Sequence, residues 1–271
     1  MALAATYVSI RQRTNVALTL HVIADESVTK FTRHRLRSCM HGDDKLRFIA
    51  AESVPESFQL ARAMDGHFSP AIIWRAWLPE YLPNLKRCIS LDCDLQVLMD
   101  ICLIWDLPLK DHALSAFQGG KPHPSDYYDW IRTSQDRYFR MGVCLMDLRS
   151  IRNCRDFVQG RLGFLHEARS LLVTIPQAGL FEQSLYNRYF SSQYFPLPFQ
   201  LVPSNRLYLH QDRRIWLYGL LSAHEPIILD LKGWLNHSSL SLFFWSALLH
   251  TPWREDAEKQ INLTGSYQTL S

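Results

Sequence analysis

An α/β fold, with a mostly parallel central sheet flanked by helices and a mixed C-terminal part, is what the sequence predicts. Apolar runs of strand length alternate with segments of helical period, and Gly and Pro mark the loops between them. At 271 residues, with 47% apolar and 12% aromatic content, the chain can bury one full core, so a single domain over residues 1–256 is expected, followed by a loose tail over 257–271.

The elements follow in order. Leu3 to Gln12 has a helical pattern, Ala17 to Ala24 reads as a buried strand, Thr29 to Met40 as a helix, and Leu46 to Ala50 as a strand. Ser69-Pro70 supplies an N-cap and first-turn proline for a helix through Ile72, Ile73, Trp74, Ala76 and Trp77. A strand from Cys88, an apolar run at Met99 to Trp105 and a further strand at Ala113 to Phe117 come next, and Gly119-Gly120-Lys121-Pro122-His123-Pro124 is a loop. Gly142 to Leu148 reads as a central strand and Ile151 to Leu165 as a helix. Phe190 to Pro203, with Pro196, Pro198 and Pro203, is expected to be an irregular aromatic loop. Ile227 to Leu231 is a short strand, a helix runs from Ser239 through Leu248, and the polar end beyond Asp256 is the tail.

Charge and cysteine content narrow the function classes. A formal net charge of +3 with dispersed Lys and Arg does not point to nucleic acid. The six cysteines form no CxxC pair, which fits reduced thiols in a cytoplasmic protein. The start has no basic segment leading into a long apolar one, and no run reaches the ~18 to 20 apolar residues that span a bilayer. Peripheral contact with an anionic membrane surface is compatible with the charge.

Chemistry concentrates at Cys88 to Val97, an apolar run interrupted by Asp92 and Asp94. In extended backbone, residues two apart face one side, so both carboxylates can converge on one cation where the strand meets solvent. Such acids also occur in plain surface turns. Open α/β sheets collect ligands at the carboxyl ends of their strands, which is where this pair lies. Arg75, set among Ile72, Ile73, Trp74, Ala76 and Trp77, needs an anionic partner if buried, at a site; the plain alternatives are a helix cap or a pair with Asp100 or Asp106.

The ordered segments resemble the family 8 glycosyltransferases, retaining GT-A enzymes that take a hexose from a nucleotide diphosphate sugar. The resemblance covers Ala4 to Ile10, Leu18 to Asp25, Trp74 to Pro83, Leu91-Asp92-Cys93-Asp94 and Trp105. Phe139-Arg140-Met141-Gly142-Val143-Cys144-Leu145-Met146-Asp147-Leu148 is similar to that family's Phe-Asn-Ser/Ala-Gly-Val-x-Leu-x-Asn-Leu strand. Glu182-Gln183-Ser184-Leu185-Tyr186-Asn187 is similar to its Asp-Gln-Asp-x-Leu-Asn segment, and Ile228 to Trp234 stands at its late His-containing element.

The resemblance implies Mn²⁺ or Mg²⁺ held by Asp92, Asp94 and Asp230, the last standing where the family has His. It implies Arg75, Lys232 and Gly233 on the donor, and Gln183, with Glu182 beside it, at the anomeric carbon. The expected donor is UDP-glucose or UDP-galactose, and the acceptor is a saccharide or lipid-linked saccharide such as lipopolysaccharide core, at the cytoplasmic face of the inner membrane. In that family a first strand precedes the Ala4 to Ile10 helix and holds uracil and ribose. This chain begins inside the helix, so a pocket lacking that strand is expected. Arg140 and Met141 replace Asn and Ser or Ala, and Ser184 replaces the second Asp. These departures leave a second reading, a degenerate member that acts as a binding or assembly module.

Overall fold

The computed structural model describes residues 2–63, 71–119, 123–198, 200–203, 227–230, 248–249 and 251–263. Helix α1 (Ala2–Arg11) buries Ala4, Ala5, Thr6, Tyr7, Ser9 and Ile10. Strands β1 (Thr19–Ala24) and β2 (Lys45–Ala50) pair in parallel from Thr19↔Lys45 to Ala24↔Ala50, with α2 (Lys30–Arg37) as the crossover. Thr29 caps α2 by accepting the Thr32 N–H at 3.2 Å.

After α3 (Pro55–Ala63), the helix expected through Trp77 is divided into α4 (Ala71–Trp74), a 3₁₀ turn (Arg75–Trp77) and α5 (Leu78–Tyr81). Ser69 and Pro70, its expected start, lie outside the described residues. Pro79 explains the break. A continuous helix would pair the Arg75 carbonyl with the N–H of residue 79, which proline lacks; that carbonyl instead receives the Leu78 N–H and the Tyr186 hydroxyl, the latter at 3.0 Å.

The remaining strands are β3 (Arg87–Leu91), β4 (Leu95–Val97), β5 (Leu114–Gln118), β6 (Phe139–Asp147), β7 (Tyr194–Pro196), β8 (Gln200–Pro203) and β9 (Ile227–Asp230). They form a four-stranded sheet, β3-β6-β5-β7, and a three-stranded sheet, β4-β9-β8. The α/β class stands. Among the described pairings three are parallel (β1·β2, β5·β7, β8·β9) and three antiparallel (β3·β6, β5·β6, β4·β9), so antiparallel pairing reaches the centre of the molecule. The apolar run at 99–105 contributes only a short helix, α6 (Cys102–Trp105), and α7 (Ser125–Trp130) follows β5.

β6 is the central strand and is buried on both faces, which is why its sequence reads as a continuous apolar run. Phe139, Met141, Cys144 and Met146 join the larger core cluster with Trp77, Tyr127, Phe157 and Tyr186, whereas Val143 and Leu145 pack with Leu95, Val97 and Ile104 on the other side. The side alternation slips between Met141 and Cys144. The β5·β6 register slips at the same place, from Ala116↔Cys144 to Phe117↔Arg140, which marks a bulge in β6.

Asp147 ends β6 and caps α8 (Leu148–Asn153), accepting the Arg149 and Ser150 N–H groups at 2.9 and 3.0 Å. Cys154, in extended backbone, separates α8 from α9 (Arg155–Ser170), so the helix expected over 151–165 is two. Helix α10 (Phe181–Phe190) comes next. The segment 190–203 is not an irregular loop throughout: it carries β7 and β8, each an edge strand among the described residues, where a proline without a ladder donor is tolerated. Beyond Asp256 the expected tail is helical as far as Leu263. The helix expected from Ser239 falls almost wholly outside the described residues.

Candidate functional site

Asp92 and Asp94 lie in the turn joining β3 to β4 rather than in extended backbone, so it is not strand alternation that orients them. Two elements hold this turn. The Asp92 N–H bonds the Gly142 carbonyl at 2.8 Å, and the buried Thr6 hydroxyl of α1 contacts the Cys93 carbonyl at 2.8 Å while accepting the Leu95 N–H at 3.2 Å. Ser9, one turn further along α1, accepts the Val97 N–H at 2.9 Å. Helix α1 thus stands in for a neighbouring strand along β4.

Gly142 lets the Asp92 carboxylate lie close against β6. A Cβ there would sit 2.9 Å from the Asp92 Oδ2, closer than packed atoms tolerate.

Arg75 resolves its open alternative at this turn. Its Nη2 pairs with the Asp92 Oδ1, and its Nη1 lies 3.4 Å from the Glu182 Oε1 and donates to the Met141 carbonyl at 3.0 Å. Asp100 is engaged elsewhere, accepting from the Thr14 hydroxyl and the Cys102 N–H, each at 3.0 Å. One guanidinium therefore joins the β3–β4 turn, the β6 bulge and the start of α10. Burial opposes the Arg75 charge, but Asp92 and Glu182 outweigh it and hold the group firmly protonated.

Glu182 is a buried carboxyl, not an exposed residue at a helix start. Burial is the main force pushing its pKa up to about 8; Arg75 opposes the rise and Asp92 adds to it. Its Oε2 is buried and has no hydrogen-bond partner among the described residues. Phe181, immediately before it, has φ of 29°, a strained conformation for a bulky residue, costing about 1–3 kcal/mol. The strain falls where the chain turns Glu182 inward and Gln183 toward β6.

The bulge explains how Gln183 is held. Where β6 departs from β5, the backbone of Met141 becomes available: its N–H donates to the Gln183 Oε1 at 3.1 Å and its carbonyl receives Arg75. The Met141 side chain, which departs from the family's Ser or Ala, packs in the core instead. The Gln183 Nε2 donates to the Tyr138 hydroxyl. Asn187, a helical turn later and fully buried, accepts the Phe139 N–H at 3.0 Å and donates to the Phe139 and Gln183 carbonyls, both at 2.9 Å. It completes the bonding of β6 as another strand would.

Asp230, the third expected ligand, ends β9, whose pairing sets its Cα opposite Leu95, the residue after Asp94. Two or three carboxylates are a hard oxygen set suited to Mn²⁺ or Mg²⁺. Among the described residues no three His, Cys, Asp or Glu side chains form a group that could hold an ion. Lys232 and Gly233 lie outside the described residues.

The family model for glycosyl transferase family 8 matches residues 1–204. The chain belongs to that family. General stress protein A of Bacillus subtilis (strain 168) is 27% identical over 105 residues, which are 38% of this chain and 36% of that protein, so the chain spans about a third of this curated relative. Among solved structures, the galactosyltransferase LgtC in complex with donor and acceptor sugar analogs superposes with a TM-score of 0.63 at 19% identity, covering all of this chain and 93% of LgtC. The apo WbbM bifunctional glycosyltransferase gives a TM-score of 0.64 at 16% identity, covering 96% of this chain and 49% of WbbM. These likenesses show the fold, that of the GT-A glycosyltransferases.

Within this family 8 chain, sequence reasoning overlooked Gly142 as a close-packed neighbour of Asp92, Tyr138 as a partner of Gln183, and Thr6 as the tether of the acid turn. A hydroxyl inside an otherwise apolar helix face, as at Thr6 and Ser9, was the available signal.

Proposed function

We propose that this protein is a metal-dependent retaining hexosyltransferase that moves glucose or galactose from a UDP-sugar to a saccharide, such as a lipid-linked saccharide or lipopolysaccharide core. The observation that carries the reading is the joining of Asp92, Glu182 and the Met141 backbone by Arg75, with Gln183 anchored to the same bulge. Family membership supports a sugar donor, and the LgtC complex holds donor and acceptor sugar analogs.

In this reading Asp92, Asp94 and Asp230 hold Mn²⁺ or Mg²⁺, which when bound stabilises charge on the departing diphosphate. Arg75 orients the hexose and keeps Asp92 in place. The half-buried Gln183 presents its amide to the anomeric carbon, Glu182 supplies a carboxyl beside it, and Lys232 with Gly233 contacts the donor phosphates. Among the described residues no helix is long and apolar enough to cross a membrane, and the proposed contact with a membrane, at the cytoplasmic face, is peripheral.

The test is transfer or hydrolysis of UDP-glucose and UDP-galactose with Mn²⁺, alongside thermal shifts with UDP and Mn²⁺ together and separately. Turnover abolished by Asp92→Asn with Asp94→Asn, and stabilisation by the pair exceeding the sum of the separate shifts, are expected. Binding without turnover of either sugar, with the double variant retaining the cellular role, would instead favour the binding or assembly module.

A further inference from the structure

Beyond the Gln183 contact with Tyr138 lies a buried group of hydroxyls that the site described so far uses only at that first member. Tyr127, Tyr138 and Ser184 are each no more than 1% exposed. The Tyr138 and Tyr127 oxygens are 3.3 Å apart, and the Tyr127 oxygen is 2.9 Å from the Ser184 Oγ. The His123 ring closes one side, 4.7 Å from the Tyr127 ring and 5.2 Å from that of Tyr138.

Donor and acceptor counting gives this group a direction. The Met141 N–H can only donate, so the Gln183 atom facing it is the oxygen and the opposite end is the NH₂. That NH₂ can only donate, so the Tyr138 oxygen accepts from it. The Tyr138 proton is then satisfied within the group only by the Tyr127 oxygen, and the Tyr127 proton by the Ser184 Oγ. Either order leaves one buried hydroxyl proton without an acceptor among the described residues, that of Ser184 in this order and that of Tyr138 in the reverse; a phenol is the more acidic and stronger donor, so the order that satisfies it is favoured. Burial, the chief cause, raises both phenol pKa values, so both remain O–H donors at neutral pH.

We propose that Met141 N–H → Gln183 → Tyr138 → Tyr127 → Ser184 is a hydrogen-bond chain that holds the Gln183 amide in place at the reacting sugar, with the Met141 N–H setting which end faces it and Tyr138 as the positioning residue. A flipped amide would set NH₂ against the Met141 N–H, which has no lone pair to accept it, so the Met141 N–H decides the orientation and Tyr138 holds the NH₂ end. Held as it is, Gln183 keeps one oxygen lone pair and one N–H for a ligand. Ser184 fits this role: where the family pattern has Asp, it supplies a neutral end to the chain.

The kinetic half of the proposal rests on the transferase reading; the anchoring half does not. Tyr138→Phe in the full chain should lower kcat about 10-fold with the KM for UDP-sugar changed less than about 2-fold, because misoriented groups cost rate more than binding. Tyr128→Phe, in the same aromatic group but outside the chain, should leave kcat unchanged. In a Gln183→Ala background, Tyr138→Phe should cost nothing further, since a residue acting through Gln183 has nothing left to act on.

Independently of turnover, the Gln183 side-chain amide, assigned by NMR, should exchange at least about 10-fold more slowly than a free glutamine amide and lose that protection in Tyr138→Phe. Equal kcat losses in both backgrounds, or free exchange in the wild type, would overturn the proposal. If no UDP-sugar is turned over, the transferase reading fails, and the exchange measurement alone decides the anchoring.

Discussion

Replacing Arg75 by Met tests the electrostatic account of the site, because the cost should depend on pH in a way that follows from Glu182. The unfolded carboxyl titrates near 4.5 and the folded one near 8, so the native state binds the extra proton between those values. Wild-type stability therefore falls as pH rises through that window and flattens above it. Below about pH 8 Glu182 is neutral in wild type and variant alike. What Arg75→Met then loses is the pair with Asp92, whose side chain is 34% exposed and which is worth about 0.5–1 kcal/mol, and the bond to the Met141 carbonyl, worth about 1 kcal/mol.

A cost of about 2 kcal/mol is expected at pH 6.5. Above pH 8 the wild-type carboxylate ionises beside a cation, whereas in the variant it has none and stays protonated. Each pH unit then adds about 1.4 kcal/mol, so the cost should reach about 4 kcal/mol at pH 9.5, within the range for breaking a buried pair. Urea unfolding followed by fluorescence of the eight tryptophans at both pH values measures it. The same substitution made together with Glu182→Gln should lose the pH dependence. A difference between Arg75→Met and wild type that is constant or shrinking with pH would refute the argument.

Three further outcomes follow from the contacts. Gly142→Ala should cost about 1–2 kcal/mol and, on the proposed metal-dependent reading, weaken the thermal stabilisation expected from Mn²⁺, since its Cβ would press on the Asp92 Oδ2 at 2.9 Å. Asn187→Ala should cost about 2–4 kcal/mol in urea unfolding, because it strips the buried Phe139 N–H and carbonyl of their partner. Thr6→Val, nearly isosteric, should cost about 1–3 kcal/mol and speed hydrogen exchange at the Leu95 N–H while leaving Val97, held by Ser9, protected.

Much of the scaffold was legible in the order of residues. The apolar runs at β1, β2, β5 and β6 and the Thr29 cap of α2 are local signals, set by side-chain period and by a hydroxyl beside an unpaired helix N–H. The strands at Tyr194–Pro196 and Gln200–Pro203 were not, because proline argues against a strand unless the strand lies at a sheet edge, and edge position belongs to the sheet. The helix Arg254–Leu263, polar along much of its length, was likewise hidden: Arg35 of α2 reaches Asp256 at 3.0 Å and stacks over Trp253, contacts more than two hundred residues apart in sequence.

The candidate site divides in the same way. The sequence by itself determined that Asp92 and Asp94 follow an apolar strand, that Arg75 sits in an apolar segment, and that Gln183 and Asn187 stand one helical turn apart. Only the tertiary structure decided that Arg75 lies between Asp92 and Glu182, that Glu182 is buried and holds its proton, and that the Met141 backbone binds both Arg75 and Gln183. The physical reason is the β6 bulge. It releases an N–H and a carbonyl from the ladder, and which distant side chains meet them depends on how α10, the 3₁₀ turn at Arg75 and the acid turn pack around that strand, a matter of position in space that no local residue pattern encodes.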